Sequence, residues 1–404
     1  MKRYLLILFL LITSNLTAQD VEFNLPEPAG PYSIGTAKFY LQDVYREEIF
    51  TEDKFDYREF MVRAWYPAEN TSGKQVLKYL EGYNIDTLKY YWDMFDIPKK
   101  LFDLIGQVET YSFIDAPISE NKDSFPVIIF SHGYGLGIPE LYTFISENLA
   151  SHGYIVFSIT HPYESVEIDL PNKPTVYLSE DRANTVLQEN LMEYAEMKRV
   201  ATPEERESAT TGVLENSFIA MESIEEWTKD AEFLLHQLDA SNSQIPDFLK
   251  RKMDLNSIGA LGHSFGGAMS GQLAMNDSRI KAVMNMDGFQ YGNLLGQELS
   301  FNYAMVYSAF NTDMNDAILN SSSKDVYLIT IPETMHFAFT DMASYPEVFD
   351  KKAFVGTVNS SVFINMLNEL ILNYFDVYLK RNNNSFPSSE LMNDYTFSLR
   401  TLQK

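Results

Sequence analysis

The fold is decided by the stretch Gly262-His263-Ser264-Phe265-Gly266-Gly267. An apolar run, 258–261, precedes it, and a helical pattern of small residues, Ala268–Met275, follows it. A serine on a sharp turn between a buried strand and a helix holds its hydroxyl clear of the sheet, and glycines avoid collisions across that turn. The helix that begins there points N–H groups and its positive dipole end at developing negative charge. The stretch therefore predicts that Ser264 is a catalytic nucleophile.

Around this elbow, short β-branched or aromatic runs alternate with helical patterns, which indicates a mostly parallel sheet flanked by helices. The runs Val127–Ser131 and Tyr154–Ile159 are almost continuously apolar, as strands covered on both faces should be, and Glu140–Ser151 between them has a helical pattern. The other predicted strands are Lys38–Val44, Phe60–Tyr66, Ile258–Gly262, Ala282–Met286, Tyr303–Ser308 and Val326–Ile331. With the elbow, this order predicts an α/β architecture of the α/β-hydrolase fold.

The 404-residue chain is predicted to form one such domain over residues 19–404. Residues 180–238 are rich in Glu, Ala, Met and Leu, and they predict an inserted cap of two helices broken near Pro203. Apolar positions at helical spacing over Val362–Leu379 predict a long terminal helix. The tail after Arg381 is rich in Asn and Ser, and we expect it to be loose.

The first 18 residues are predicted to be a signal peptide. Lys2 and Arg3 form a positive start, Tyr4–Ile12 is an apolar run too short to span a bilayer, and Ala18 offers a cleavage site before Gln19. The alternative is an uncleaved anchor or a buried N-terminal helix. A cleaved signal predicts a secreted or periplasmic protein.

Charge and composition exclude several classes of function. The formal net charge is −25, so the surface repels phosphate backbones and anionic bilayers. We therefore expect neither nucleic-acid binding nor strong electrostatic membrane binding. There is no cysteine, which excludes disulfides, a thiol nucleophile and cysteine-bound metals. Because no H-E-x-x-H or EF-hand motif is present either, we expect no metal and no cofactor.

A serine nucleophile needs a base, and the chain has six histidines. In the α/β-hydrolase order of serine, acid and histidine, only His336 follows Ser264 by any distance. It comes just after the Val326–Ile331 run, where a loop could carry it over the elbow. His263 adjoins the nucleophile but is expected to point elsewhere. We therefore predict that His336 is the base.

Two aspartates compete for the role of the acid. Asp287 directly follows the Ala282–Met286 run, and Asp313 follows Tyr303–Ser308. The fold usually places the acid after the later strand, which favours Asp313. The abrupt end of an apolar strand in Asp-Gly favours Asp287. From the residues alone, both alternatives stay open.

An oxyanion hole needs two backbone donors. One is expected from Phe265, the residue after the nucleophile. The other is expected from Tyr134, in the loop His132-Gly133-Tyr134-Gly135 that follows Val127–Ser131, since glycines let such a loop turn its N–H groups inward. His132 is expected to shape this loop by hydrogen bonding rather than to take part in catalysis.

Several stretches resemble the plasma-type platelet-activating factor acetylhydrolases. They are the elbow and the segments Phe125–Gly135, Leu149–Val156, Gly30–Gly35 and Arg63–Pro67. The elbow is common to many hydrolases, whereas a Phe-Ser-His-Gly loop followed by Ala-Ser-His-Gly is more distinctive. The resemblance spans most of the chain.

The resemblance implies Asp287 as the acid, His336 as the base, and Tyr134 and Phe265 as the oxyanion donors. It also implies calcium-independent removal of short or oxidised acyl chains from the sn-2 position of phospholipids. A small ester or phospholipid is thus the expected substrate of a secreted serine carboxylic-ester hydrolase. The alternatives are a general short-chain or polyester esterase, an acetyl-sugar deacetylase, a peptidase, and a non-catalytic binding module that keeps the fold.

Overall fold

The apolar and β-branched runs of the sequence form strands. The computed structural model describes residues 23–171, 173–197, 199, 202–347, 349–382 and 384–402, and the predicted signal peptide lies outside them. The strands in these residues are β1 (Ser33–Glu47), β2 (Tyr57–Ala68), β3 (Val76–Lys78), β4 (Glu109–Ile114), β5 (Phe125–Ser131), β6 (Ile155–Thr160), β7 (Glu167–Ile168), β8 (Val176–Tyr177), β9 (Met253–His263), β10 (Ile280–Met286), β11 (Asn302–Ser308), β12 (Val326–Ile331) and β13 (Ser398–Leu402).

One large sheet has the strand order β13-β12-β11-β10-β9-β5-β6-β2-β1-β4-β3. From β6 to β12 in that order the strands are parallel, whereas β2 and β13 run antiparallel to their neighbours β6 and β12. The sheet is therefore mostly parallel, and every predicted strand is present with its ends shifted by a few residues. Because the carboxyl ends of parallel strands share one edge, the residues after β5, β9, β10 and β12 come together there.

Helices cover both faces of the sheet. Their bounds are α1 (Ile85–Tyr91), α2 (Lys99–Ile105), α3 (Thr143–Ser151), α4 (Glu180–Met197), α5 (Pro203–Asn216), α6 (Phe218–Asp239), α7 (Asp247–Lys250), α8 (Phe265–Asn276), α9 (Ser360–Tyr378) and α10 (Ser389–Asp394). α3 and α9 share one core cluster with Ile128 and Val156, whereas α6 and α8 share the other with Val127 and Ile129. Alternate residues of β5 thus face opposite layers, which explains why its sequence is almost continuously apolar.

The insertion at residues 180–238 is three helices, α4 to α6, rather than the two predicted. The break near Pro203 is present because Thr202 caps α5: its hydroxyl accepts from the Glu205 N–H, and the Glu205 side chain accepts from the Thr202 N–H. A second break at Ser217 separates α5 from α6. This break has no proline or glycine, so the sequence pattern did not predict it.

The prediction of a loose tail after Arg381 is wrong for the residues described there. Ser388 caps α10 by accepting from the Leu391 N–H, and β13 pairs antiparallel with β12. Pairing with β13 occupies backbone groups of β12 that would otherwise form an exposed edge. The polar composition of this segment did not indicate a strand, because β13 joins the sheet through backbone pairing with β12.

Candidate active site

Ser264 lies between the end of β9 and the start of α8, as the elbow predicts. Its φ and ψ are 56° and −123°, a region that residues other than glycine rarely adopt, so the turn is strained. A Cβ atom at Gly262 would lie 2.1 Å from the Gly266 carbonyl oxygen, and one at Gly266 would lie 2.2 Å from the Ser131 carbonyl oxygen. Only glycine fits at these two positions, which explains the motif.

The structure brings His336 and Asp287 to this serine. His336 Nε2 lies 3.0 Å from Ser264 Oγ, and His336 Nδ1 lies 2.8 Å from Asp287 Oδ2. The buried Asp287 side chain also accepts hydrogen bonds from the Ser308 N–H (2.6 Å) and from Asn311 Nδ2 (2.8 Å). Because the carboxylate accepts a hydrogen bond from Nδ1–H, the proton stays on Nδ1 and Nε2 presents its lone pair to the serine hydroxyl.

Asp313, the other candidate acid, lies elsewhere. Arg400 binds its carboxylate, and Arg206 Nη1 donates to its backbone carbonyl over 3.1 Å. These contacts join helix α5 to strand β13. The carboxylate that binds His336 is therefore that of Asp287.

The loop after β5 passes beside the serine. A Cβ atom at Gly133 would lie 3.3 Å from Ser264 Cβ. Among the described residues, no acceptor is bonded to the backbone N–H of Tyr134 or of Phe265. Both predicted oxyanion donors therefore have an N–H group available close to Ser264.

Tyr142 and His263 connect this loop to the base. The Gly133 N–H donates to Tyr142 Oη (3.1 Å), Tyr142 Oη lies 2.9 Å from His263 Nδ1, and His263 Nε2 lies 2.9 Å from the His336 carbonyl oxygen. Since a carbonyl only accepts, His263 carries its proton on Nε2. Its Nδ1 therefore accepts a hydrogen bond from the Tyr142 hydroxyl. Burial holds the pKa of His263 well below its usual range, so the ring is neutral. His263 thus holds the backbone of the base, and no sequence motif pointed to Tyr142.

A buried carboxylate, Glu164, ties the insertion to the same loop. It accepts hydrogen bonds from the Tyr134 hydroxyl (3.0 Å), Trp227 Nε1 (2.7 Å) and Arg182 Nε (3.0 Å). The Tyr134 ring also stacks on Trp227, with ring centroids 5.9 Å apart. Arg182 belongs to α4 and Trp227 to α6, so the insertion supports the loop. No sequence pattern pointed to Glu164 or Trp227.

Aromatic rings lie next to the serine and the base. Phe265 packs against Tyr134 and Tyr291, with ring centroids 5.1 and 5.5 Å apart. Phe337, next to His336, packs against Phe95 with centroids 4.8 Å apart. The serine and its base thus lie among apolar rings.

The described residues hold neither a candidate metal cluster nor a candidate membrane span. Among them, no group of three or more His, Asp or Glu side chains could hold a metal ion. None of their helices is both long enough and apolar enough to cross a bilayer.

The chain matches a known protein family over most of its length. The family model described as platelet-activating factor acetylhydrolase, isoform II, matches residues 17–394. The chain is 24% identical to the platelet-activating factor acetylhydrolase of Cavia porcellus over 385 residues, which cover 91% of this chain and 81% of that protein. It is also 24% identical over 391 residues to the platelet-activating factor acetylhydrolase of Canis lupus familiaris, with 88% and 77% covered.

A solved structure shares the fold. The ferulic acid esterase from Streptomyces cinnamoneus matches with a TM-score of 0.67 and 19% identity, over 94% of this chain and 99% of that one. This likeness confirms the predicted α/β-hydrolase fold. The family match confirms the resemblance found in the sequence and its implied reaction class, ester hydrolysis. This ester hydrolase belongs to the family of platelet-activating factor acetylhydrolases, isoform II.

Proposed function

We propose that this ester hydrolase works through an acyl-enzyme on Ser264, with His336 as general base and Asp287 as the acid that orients it. The observation that carries the proposal is the pair of hydrogen bonds from Ser264 to His336 (3.0 Å) and from His336 to Asp287 (2.8 Å). Both distances are within the reach that proton transfer needs. The strained backbone of Ser264 adds support, because such strain clusters at active sites.

In the first half of the reaction, Ser264 Oγ attacks the ester carbonyl carbon while its proton passes to His336 Nε2. The carbonyl oxygen becomes an oxyanion, which the N–H groups of Tyr134 and Phe265 stabilise. The bond between the carbonyl carbon and the alcohol oxygen then breaks, and His336 gives its proton to the leaving oxygen. The acyl group stays on Ser264.

Water completes the cycle. It gives a proton to His336 Nε2 as its oxygen attacks the acyl carbon, and Ser264 Oγ then leaves and takes that proton back. Asp287, held in place by Ser308 and Asn311, keeps the imidazole in one orientation and stabilises the imidazolium that forms in each half. The products are a carboxylic acid and the regenerated serine.

The substrate that we infer is a phospholipid or related small ester with a short acyl group, acetyl to about hexanoyl. The curated relatives are named as acetylhydrolases. The rings of Phe265 and Tyr134 offer an apolar environment for an acyl group near Ser264. The net charge of −25 disfavours docking on anionic bilayers, which suits an ester that arrives from solution.

The test is kcat/KM for p-nitrophenyl esters of increasing acyl length, beside phospholipids with an acetyl or a long acyl group at sn-2. We expect rates to fall beyond about six carbons, as an acyl pocket closed at its far end would require, whereas an open apolar pocket would gain ~0.8 kcal/mol from each added methylene. Best activity on long-chain triglycerides or intact long-chain phospholipids would overturn this substrate and leave the serine mechanism standing. Equal rates on simple esters and phospholipids would favour a general esterase.

Export is a separate part of the proposal. Its support is the positive start at Lys2 and Arg3, the short apolar run after it, and the cleavage site at Ala18. N-terminal sequencing of protein from its native host should find Gln19 first. A mature protein that still begins with Met1 would contradict export by this signal.

A further inference from the structure

The peptide that joins Gly133 to Tyr134 carries one of the proposed oxyanion donors. Its N–H belongs to Tyr134, and its carbonyl belongs to Gly133. A trans peptide is planar, so these two groups point in opposite directions and rotate together. Whatever holds the Gly133 oxygen therefore sets the direction of the Tyr134 N–H.

His132 holds that oxygen. Its Nδ1 lies 2.8 Å from the Gly133 carbonyl oxygen, and because a carbonyl only accepts, Nδ1 carries the proton. The ring is fully buried, with its centroid 5.2 Å from that of Trp227 and 5.5 Å from that of His161. Burial lowers the pKa of His132 to about 3, so the ring stays neutral while a histidine base is active.

The ring of His161 beside it is fixed as well. His161 Nε2 accepts from Ser131 Oγ (3.0 Å), and His161 Nδ1 donates to Asp230 Oδ2 (2.9 Å). Arg58 in turn binds the same carboxylate, over 2.8 and 3.0 Å, and none of these side chains is exposed. This Ser-His-Asp arrangement cannot reach a substrate from its buried position. The arrangement fixes the orientation of the His161 ring, against which His132 packs.

Gly137 lies close to the same carbonyl. A Cβ atom there would lie 2.2 Å from the Gly133 oxygen and 2.9 Å from His132 Nδ1. Gly137 has no positive φ, so glycine is needed at this position for space rather than for backbone conformation. The loop therefore folds back onto the hydrogen bond between His132 and Gly133.

We propose that His132 is a positioning residue that aims the Tyr134 N–H at the developing oxyanion. The role rests on the proposed function, since it needs Ser264 as nucleophile. Nδ1 is the side-chain atom that reaches the carbonyl of the next residue. The structural alternative is that the ring only fills space beside Trp227.

Two substitutions separate the roles. His132→Leu fills the buried space with an apolar side chain and removes the hydrogen-bond donor. In His132→Asn, the amide nitrogen can take the place of Nδ1. His152 supplies a matched control, because its Nδ1 also donates to a nearby carbonyl, that of Asn148, over 2.8 Å. The measurements are kcat and KM for p-nitrophenyl acetate, the Ki of a trifluoromethyl ketone that forms a tetrahedral adduct with the serine, and thermal unfolding.

We expect His132→Leu to lower kcat by about 10- to 10²-fold with KM nearly unchanged, the loss that a misdirected oxyanion donor produces. The Ki of the ketone should rise by a similar factor, because only the adduct has an oxyanion. His132→Asn should recover most of this loss, and His152→Leu should leave kcat unchanged. The pH profile of kcat/KM should keep its shape in all of them.

Three results would overturn the proposal: a folded His132→Leu with wild-type kcat, equal losses in the Leu and Asn variants, or a change confined to KM. If His132→Leu does not fold, Gly137→Ala tests the same peptide and should lower kcat in the same way, with wild-type kcat again counting against the proposal. Ser264→Ala, measured beside them, keeps the two proposals apart. An active Ser264→Ala would contradict the proposed function itself, whereas an inactive one beside an active His132→Leu would contradict only the positioning role.

Discussion

The sequence Ser-His-Gly-Tyr occurs twice in this chain, and the structure uses the two copies differently. The first copy, Ser131–Tyr134, leaves the end of β5 and passes beside Ser264. The second copy, Ser151–Tyr154, ends helix α3 on the way to β6. The same four residues thus belong to a candidate site in one place and to a helix terminus in the other.

The second copy makes two local hydrogen bonds that end the helix, and its Tyr154 hydroxyl donates to Asp376 of α9 over 2.6 Å. Ser151 Oγ and His152 Nδ1 both donate to the carbonyl of Asn148, one turn earlier, over 2.8 Å. Gly153 has a φ of 89°, the left-handed conformation in which helices commonly end. This copy stops α3 and turns the chain into the next strand.

The first copy bonds to residues that hold the loop beside Ser264. Ser131 bonds to His161, and the Tyr134 hydroxyl donates to Glu164, each 30 residues away. The surroundings, and not the four residues, therefore decide the role. Changes to the first copy should therefore alter the rate of catalysis, and changes to the second should alter stability.

The largest effect should come from removing the nucleophile beside the first copy. We expect Ser264→Ala to lower kcat by roughly 10³-fold or more without unfolding the protein. The matched control is Ser151→Ala in the second copy, which loses a helix-end hydrogen bond and about 1 kcal/mol of stability but should keep its kcat. Steady-state kinetics and thermal unfolding measure both variants. A fully active Ser264→Ala would break the comparison, because the first copy would then not lie at the active site.

The acid offers the next largest effect. Asp287→Asn should lower kcat by about 10²-fold or more, because the imidazole loses the carboxylate that orients it. Asp313→Asn is its control: the Asp313 carboxylate is bound by Arg400 at the surface, and kcat should change little. The reverse pattern would place the acid after β11 and discredit the assignment from hydrogen bonds.

The two glycines test the comparison directly. Gly133→Ala puts a Cβ atom 3.3 Å from that of Ser264 and should lower kcat several-fold with little loss of stability. Gly153→Ala forces a left-handed alanine and should cost about 1–2 kcal/mol of stability with kcat unchanged. Kinetics and chemical denaturation of both variants separate the effects. If Gly153→Ala slowed catalysis and Gly133→Ala did not, the roles of the two copies would be the wrong way round.

The smallest effect on catalysis is expected from α3, the helix between the two copies, where the change is in the pH dependence of stability. Burial raises the pKa of Glu147 to about 8 from the ordinary 4.5. The folded state therefore binds a proton that the unfolded state has released, and stability should fall as pH rises from about 4.5 to 8, by up to ~1.4 kcal/mol per pH unit.

Glu147→Gln should flatten this dependence, because Ser112 Oγ and the Tyr111 N–H can donate to the amide oxygen instead. The exposed Glu109→Gln serves as control. Denaturation curves across this pH range are the measurement, and equal slopes in wild type and Glu147→Gln would contradict the assignment.

The fold was predictable where buried elements have apolar sequences or where a proline marks a helix start. β5 and β6 are almost continuously apolar because both of their faces are covered, and a proline marks the start of α5. The edge strands Val76–Lys78 and Ser398–Leu402 were missed. Strands at an edge are held by backbone pairing and carry polar or exposed side chains, so their sequences resemble loops.

The candidate site divides in a similar way. Ser264 and His336 follow from a motif and from chain order, and the choice of Asp287 needed the family resemblance. The supporting residues Tyr142 and Glu164 were not predictable. Tyr142 bonds to a histidine 121 residues away, and no local pattern records such a contact.

Covalent labelling can show whether Ser264 is the nucleophile. The wild-type protein would be treated with a fluorophosphonate, digested and mapped by mass spectrometry, beside Ser264→Ala. The structure predicts a single label on the peptide that contains Ser264, loss of activity in step with labelling, and no label in the variant. A label on another residue, or full activity after stoichiometric labelling elsewhere, would contradict the claim.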